Sequence, residues 1–404
     1  MEPGRELTVE IDSVAFGGSG VARVDGLVVF VPFVLPGETV RVRVLKKHKQ
    51  FAEAMPLAVV EPHPERIAPS CPYFGTCGGC AYQHVPYPVE LDIKQGQVME
   101  VFRRLAGETP PPVTAAVPSP LPYGYRTKIR MKFKSGRGAG RFGFFDHYRN
   151  ALVDIDRCLL AAPPLNAYIE RVRSDDFAFF REKRIRSYNL ALLEGSGDVV
   201  DNLGENRDVR VSVEGARFVY NRNCFFQVNH SIFPALKRTL HSLFDAQGVT
   251  GRSMLDLYCG VGFFGILFSD RFERIGFIES NRTSFEYLLR NIEENGIVSR
   301  SETHFGPAEQ GIAGLSIRPE VILMDPPRSG ASAPSIRLAA SLKPELIVYV
   351  SCNPATQFRD VSVFREAGYR LADLKSLDFF PQTKHIETIA LFRPDTGFAG
   401  SPKP

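Results

Sequence analysis

The residues able to do covalent chemistry gather toward the C-terminal end of the chain. In Leu346-Ile-Val-Tyr-Val-Ser351-Cys352-Asn353-Pro354 an apolar run ends in a thiol, and Asn353-Pro354 suits the N-cap and first turn of a helix. A helix starting there aims its positive end at Cys352 and favours the thiolate, the nucleophilic form, over the ordinary pKa of about 8.5. The plainer reading is a buried packing thiol. In Val321-Ile-Leu-Met-Asp325-Pro-Pro-Arg328 a second apolar run ends in a carboxylate. Arg328 reads as a substrate contact or as half of a structural ion pair. In Lys384-His385-Ile386-Glu387-Thr388, period two sends His385 and Glu387 to one face of a last strand and Ile386 to the other. Taken singly Glu387 could be a surface carboxylate; at the mouth of the same sheet it reads as a base. Nucleophile and base together suggest covalent catalysis.

Upstream, Ser253-Met-Leu-Asp256-Leu-Tyr258-Cys259-Gly260-Val-Gly262-Phe263-Phe264-Gly265 runs a strand into a glycine turn and then a helix. Glycines let the backbone approach a ligand at the carboxyl edge of a sheet. Gly260, Gly262 and Gly265 match G-x-G-x-x-G, and Glu279, 23 residues after Asp256, is placed for ribose hydroxyls. NAD and S-adenosylmethionine both fit these residues. The carboxylate at Asp325 and the thiol at Cys352, on two neighbouring strand ends, favour a methyl donor over a dehydrogenase's cofactor.

A third group is Cys71-Pro-Tyr-Phe-Gly-Thr-Cys77-Gly-Gly-Cys80, three thiols in ten residues. The chain of 404 residues has seven cysteines, an odd number that suits metal or catalytic work in a reducing compartment better than a disulfide framework. By spacing alone such thiols could hold zinc or an iron-sulfur cluster. Residues 1–6 show no basic segment leading into an apolar run, and eighteen apolar residues never occur together, so a cytoplasmic, membrane-free protein is expected.

Three kinds of element must position these groups. Residues 1–62 read as five or so short strands, with Asp25-Gly26 and Pro36-Gly37 as turns, and suggest a small closed barrel. Arg41, Arg43, Lys46, Lys47 and Lys49 form a basic patch on it, or a charged strand edge that resists aggregation. Next, Arg126, Lys128, Arg130, Lys132 and Lys134 alternate with Thr127, Ile129, Met131 and Phe133, which in a strand sends five cations to one face. From Leu121 to Arg157 there are nine Lys or Arg against three Asp, an excess of six in a chain whose net charge is only +4. A polyanion, RNA or DNA, explains such a face better than solvation does. The Gly136–Gly143 stretch, with Arg137 and Arg141, reads as turns in an antiparallel sheet. From about 225 to 393, apolar runs at 253–257, 275–278, 321–324, 345–350 and 387–392 alternate with helical patterns, a doubly wound α/β sheet.

With these residues the chain resembles, over essentially its whole length, the RNA uracil-5 methyltransferases that carry an N-terminal TRAM barrel and an iron-sulfur cluster. The resemblance implies a Rossmann-like S-adenosylmethionine-dependent methyltransferase domain, an OB-like TRAM barrel and a central antiparallel β domain carrying the cluster. It divides the chain into 1–66, then 67–90 with 122–222, then 91–121 with 223–404. It implies a [4Fe-4S] cluster on Cys71, Cys77, Cys80 and Cys158, cofactor contacts at Gln227, Asp256, Tyr258, Gly260, Gly262, Glu279 and Asp325, Cys352 as nucleophile and Glu387 as base. Phe225 in Phe225-Phe226-Gln227 joins the basic strand and Arg328 as an RNA contact. Phe263 departs from relatives that have a polar residue after the second glycine. A barrel together with a cluster points to 23S ribosomal RNA ahead of transfer RNA, and monomer is the default state. The other classes to be separated are an RNA cytosine-5 methyltransferase, whose second cysteine is missing after Asp325-Pro-Pro-Arg328, and an NAD-dependent oxidoreductase. Cys224 and Cys259 are left as packing thiols.

Overall fold

The computed structural model describes residues 1–107, 111, 115–135, 140–148, 150–194, 199–203 and 207–397, so that Arg137 and part of the second proline cluster lie outside the described residues. The N-terminal strands are β1 (Glu6–Glu10), β2 (Ser13–Val14), β3 (Ser19–Val24), β4 (Leu27–Pro32), β5 (Thr39–Lys47) and β6 (Phe51–Glu61). They form one curled sheet in the order β1-β5-β6-β4-β3-β2. Val40, Val42 and Val44 alternate inward against Val9, Ile11, Val29 and Val31. Asp25 and Gly26 both take positive φ (51° and 77°), as a two-residue hairpin with the strands' right-handed twist requires. The expected closed barrel is corrected to an open, six-stranded half-barrel: β1 and β2 are its free edges, and β2, two residues long, is too short to close it. The basic patch is partly neutralised, because β1 lays Glu6 beside Arg43 at 2.7 Å.

A long helix follows, α1 (Tyr87–Ala106), stopped by Gly107 in the left-handed region. Its Gln97 donates to the carbonyl of Ala15 just after β2 at 2.8 Å, while Phe102 nearer its C-terminal end meets Phe358 edge-on at 5.0 Å. The central unit comprises β7 (Lys128–Lys134), β8 (Arg141–Phe145), β9 (Leu152–Asp154), α2 (Pro163–Ser174), α3 (Ala178–Glu182), β10 (Ser187–Glu194) and β11 (Val199–Asp201). Its antiparallel sheet has the order β11-β10-β7-β8-β9, with β7 in the middle. Ile129, Met131 and Phe133 are buried against α2 and α3, Phe133 stacking on Phe180 at 4.1 Å, which leaves the cations of β7 on the other face.

After the hairpin of β12 (Asp208–Val213) and β13 (Ala216–Asn221) come α4 (Phe233–Ala246), β14 (Ser253–Leu257), α5 (Phe263–Leu267), β15 (Arg274–Glu279), α6 (Arg282–Glu294), β16 (Ser301–Phe305), α7 (Ala308–Gly314), β17 (Val321–Met324), α8 (Ala333–Ser341), β18 (Leu346–Ser351), α9 (Pro354–Glu366), β19 (Tyr369–Leu377) and β20 (Glu387–Pro394). They form a seven-stranded sheet, β16-β15-β14-β17-β18-β20-β19, with one apolar cluster on each face. All five expected strands are present; β16 and β19 are additional, and both are edge strands of mixed polarity with no apolar run to announce them. The first five are parallel, whereas β20 runs antiparallel to both β18 and β19.

Candidate active site

That reversal builds the site. The β18–β20 ladder pairs Ile347 with Phe392 through Ser351 with Thr388, so one further step sets Cys352 opposite Glu387. A strand entering the sheet antiparallel begins at the carboxyl edge of its parallel neighbours, which is why the first residue of β20 faces the residue just past β18. Cys352 is half-buried and Glu387 only 2% exposed. Arg328, beyond the end of β17, donates from Nη2 to Nδ1 of His385 at 2.7 Å, and its positive charge acts on the Cys352 thiol.

Burial pushes the Cys352 thiol above its ordinary value and negative charge on Glu387 adds to the rise, while the Arg328 guanidinium opposes it. The expectation that the helix dipole favours the thiolate is therefore corrected: desolvation and two carboxylates outweigh it. Asn353 does occupy the N-cap of α9, but its amide donates to the Arg328 carbonyl at 3.0 Å instead of capping the helix. His385 is corrected as well. It lies in the turn before β20, so strand periodicity does not place it; burial first, then Arg328, hold it down to about 4, leaving a neutral ring. Glu387 is raised well above its ordinary value by burial, with Asp325 reinforcing and Arg328 opposing.

The glycine turn closes the neighbouring edge. Tyr258 is left-handed (φ 61°) and half-buried, followed by Gly260 and Gly262 at φ 58° and 88°. A Cβ on Gly262 would lie 2.6 Å from Leu288 Cδ1, whereas one on Gly260 would project into open space, the side left for a ligand. Gly265 lies so close to Phe277 that α5 packs flush on the sheet. Glu279 accepts from the amides of Gly260 (2.8 Å) and Asn281 (2.5 Å), holding the turn from the next strand end. Asp256 is fully buried: one oxygen accepts from Gly265 N at 2.7 Å, and the other, Oδ1, has no hydrogen-bond partner among the described residues. Burial raises Asp256 well above its ordinary value, with Asp325 and Glu279 adding to it, and burial brings Asp325 up to about 7. Carboxylates crowded around one turn fit a cationic ligand such as a sulfonium, whose charge would relieve them. Gln227 is buried in the segment that precedes α4. Phe263 is packed among Phe218, Phe226 and Phe233, so the departure noted at this position is a core contact.

Cys71, Cys77, Cys80 and Cys158 line one cavity of about 430 Å³, together with Arg126, Lys128, Arg130 and Phe225. Burial lifts Cys77 to about 11 and Cys80 to about 12. The thiols stand around the cavity wall; among the described residues, no three His, Cys, Asp or Glu converge tightly enough to hold a metal ion. Phe225 is 66% exposed at the rim. Lys128 is not available as a phosphate contact: its Nζ donates to the carbonyls of Arg222 (2.9 Å) and Cys224 (3.2 Å) and so secures the turn that carries Phe225. The side chains of Arg130, Lys132 and Lys134 make no hydrogen bond or ion pair among the described residues. Arg126 precedes β7 and is half-buried beside Tyr125. Cys224 and Cys259 are buried, consistent with packing.

A doubly wound sheet with its last pair reversed, a glycine turn at β14 and an acidic rim defines an S-adenosylmethionine-dependent methyltransferase. Residues 199–394 match the tRNA (uracil-5-)-methyltransferase family and residues 1–57 the TRAM domain. The chain is 31% identical to the 23S rRNA (uracil(1939)-C(5))-methyltransferase RlmD of Alkalilimnicola ehrlichii, over 97% of each chain. It is 29% identical to an uncharacterized RNA methyltransferase of Aquifex aeolicus, over 96% of this chain and 98% of that one. The solved tRNA (uracil-54, C5)-methyltransferase of Pyrococcus abyssi in complex with S-adenosyl-L-homocysteine superposes with a TM-score of 0.74 at 25% identity, covering 96% of this chain and all of the other. The chain belongs to the TRAM-domain RNA uracil-5 methyltransferases. Among the described residues no helix is long and apolar enough to cross a membrane.

Proposed function

We propose that the protein methylates C5 of a specific uridine in 23S ribosomal RNA through a covalent Cys352–C6 adduct. The observation that carries this reading is the register that sets Cys352 opposite Glu387, with the Arg328 charge acting on both. C5 of uracil is too weak a carbon nucleophile to act unaided. Cys352, once deprotonated, adds to C6, and the C5–C6 pair moves into an enolate. S-adenosylmethionine supplies the electrophilic methyl, whose S–C electrons stay on sulfur as C5 attacks. Glu387 takes the C5 proton, and elimination breaks the S–C6 bond and returns the thiolate. Arg328 steadies the negative charge as it passes between thiolate, base and enolate. The net release is one proton. Gln227, Tyr258, Gly260, Gly262, Glu279 and Asp325 hold the methyl donor, with Asp256 beneath them.

Arg130, Lys132 and Lys134 bind phosphates, and Phe225 stacks on a base; freeing a stacked uridine costs a few kcal/mol, returned by such contacts. Cys71, Cys77, Cys80 and Cys158 hold a [4Fe-4S] cluster. Methyl transfer needs no redox step, so its role is to shape the RNA face. Visible absorbance in anaerobically purified protein is expected, whereas a colourless protein with stoichiometric zinc would replace the cluster by zinc. The Alkalilimnicola relative supports ribosomal RNA; the Pyrococcus structure supports a second reading, transfer RNA. Tritium release from 5-tritiated uridine in separate ribosomal and transfer RNAs, followed by mapping of the product, decides between them.

A further inference from the structure

The segment that leads into Glu387, residues 378–386, has no regular structure, yet every backbone carbonyl from Phe379 to Gln382 is taken. Phe379 O accepts from Asn229 Nδ2 at 3.0 Å, Phe380 O from Lys94 Nζ at 3.1 Å, and Pro381 O from Tyr125 OH at 3.0 Å. Gln382 O accepts from the amides of Ala81 (2.7 Å) and Tyr82 (3.2 Å), immediately after Cys80. Gln382 itself is left-handed (φ 66°), a conformation that costs a non-glycine residue free energy and persists only where its surroundings impose it. Its amide donates to Glu90 Oε1 at 2.7 Å.

Behind these contacts lies an ion triad. Lys94 Nζ sits 2.7 Å from both Glu90 Oε1 and Asp378 Oδ1, and the three side chains are at most 3% exposed. Two carboxylates on one ammonium are costly to bury, and hydrophobic residues would hold a helix to a sheet as well. What an apolar contact could not do is hold an irregular segment at successive points: Lys94 reaches Asp378 and Phe380 O, and Glu90 reaches Gln382 N. Downstream of that grip, His385 contacts Arg328, and Glu387 faces Cys352.

We infer that Lys94 is a positioning residue of the methyl transfer, which with Glu90 and Asp378 fixes the loop 378–386 and thereby the base Glu387 and the Arg328 partner His385. The inference rests on the reading of Glu387 as base. Misplacing a reacting group by about 1 Å can cost about a hundredfold in rate. In the full-length enzyme, Lys94→Met should lower kcat for tritium release from 5-tritiated RNA by about that factor with KM for RNA unchanged, and covalent RNA adduct should accumulate as in Glu387→Gln. Hydrogen–deuterium exchange at amides 379–386 should rise in Lys94→Met and not in Glu387→Gln. Lys94→Arg should recover most of the rate. Should the two orphaned carboxylates prevent folding, Lys94→Met/Asp378→Asn leaves one buried acid, Glu90, already raised to about 7 by burial and able to stay neutral. A folded variant with wild-type kcat, a loss confined to KM, or unchanged exchange in the loop would overturn the positioning role. Normal turnover by Glu387→Gln would instead overturn the base assignment, and the exchange data would still decide whether the triad anchors the loop.

Discussion

Arg328 is the cation that opposes the rise of both Cys352 and Glu387, so Arg328→Gln tests the electrostatics of the site directly. Without it the thiolate, once formed, has no guanidinium beside it to donate a charge-assisted hydrogen bond. Such bonds are worth about 1.5–3 kcal/mol, and the exposure of Arg328 screens this one toward the lower end. About 1.4 kcal/mol corresponds to one pKa unit, and the sign is fixed because removing a positive charge disfavours the anion. At any pH below its midpoint, Cys352 in the variant should be about tenfold less ionised and about tenfold slower to alkylate. Alkylation with iodoacetamide, read at the Cys352 peptide by mass spectrometry between pH 7 and 9.5, separates this thiol from the other six. Glu387→Gln is the opposite-sign control: it removes a negative neighbour and should speed alkylation. Equal rates in wild type and Arg328→Gln, or a faster variant, would refute the reasoning.

Cys352→Ala should abolish both methylation and covalent capture of RNA, while Glu387→Gln should capture RNA and release it slowly; gel-shifted, denaturation-resistant complex measures both. Asp325 has its folded pKa raised to about 7, so its contribution to stability is complete below its unfolded pKa of about 4 and fades as pH rises to 7. Asp325→Asn should therefore gain thermal stability relative to wild type on going from pH 4 to 8, and a pH-independent difference would contradict the burial argument. Gly262→Ala forces a Cβ against Leu288 and Ile266 at a φ of 88°, and a loss of about 1–3 kcal/mol is expected from denaturant unfolding, with weaker binding of S-adenosylmethionine by calorimetry. Lys132→Ala and Lys134→Ala should each weaken RNA binding and reduce the salt dependence of log K by about one unit, whereas Lys128→Ala should act through the Phe225 turn and leave that slope nearer to wild type.

Much of the site could be read along the chain because its parts lie where apolar runs stop. Asp325 and Cys352 follow buried strands, and the glycine turn follows β14, so strand ends marked the chemistry. The alternation at 126–134 was legible because period two is a local property of a strand. Lys94 and Glu90 were not legible: at i and i+4 on a helix they look like a solvent-exposed pair, and only their partners 284 residues or more away show that they are buried. The availability of Lys128 likewise depended on the carbonyls of Arg222 and Cys224, about 95 residues downstream.

The sequence by itself determined which residue types stand at the carboxyl edge of the sheet, which strand carries positive charge and where the backbone must turn on glycine, since these follow from periodicity and from the steric freedom of single residues. Tertiary structure alone decided that β20 enters antiparallel and so brings Glu387 to Cys352, that the N-terminal sheet stays open, and that burial and neighbouring carboxylates push the Cys352 thiol above its ordinary value. Those outcomes depend on pairing partners, on burial and on charges from distant segments, which meet only when the chain is folded.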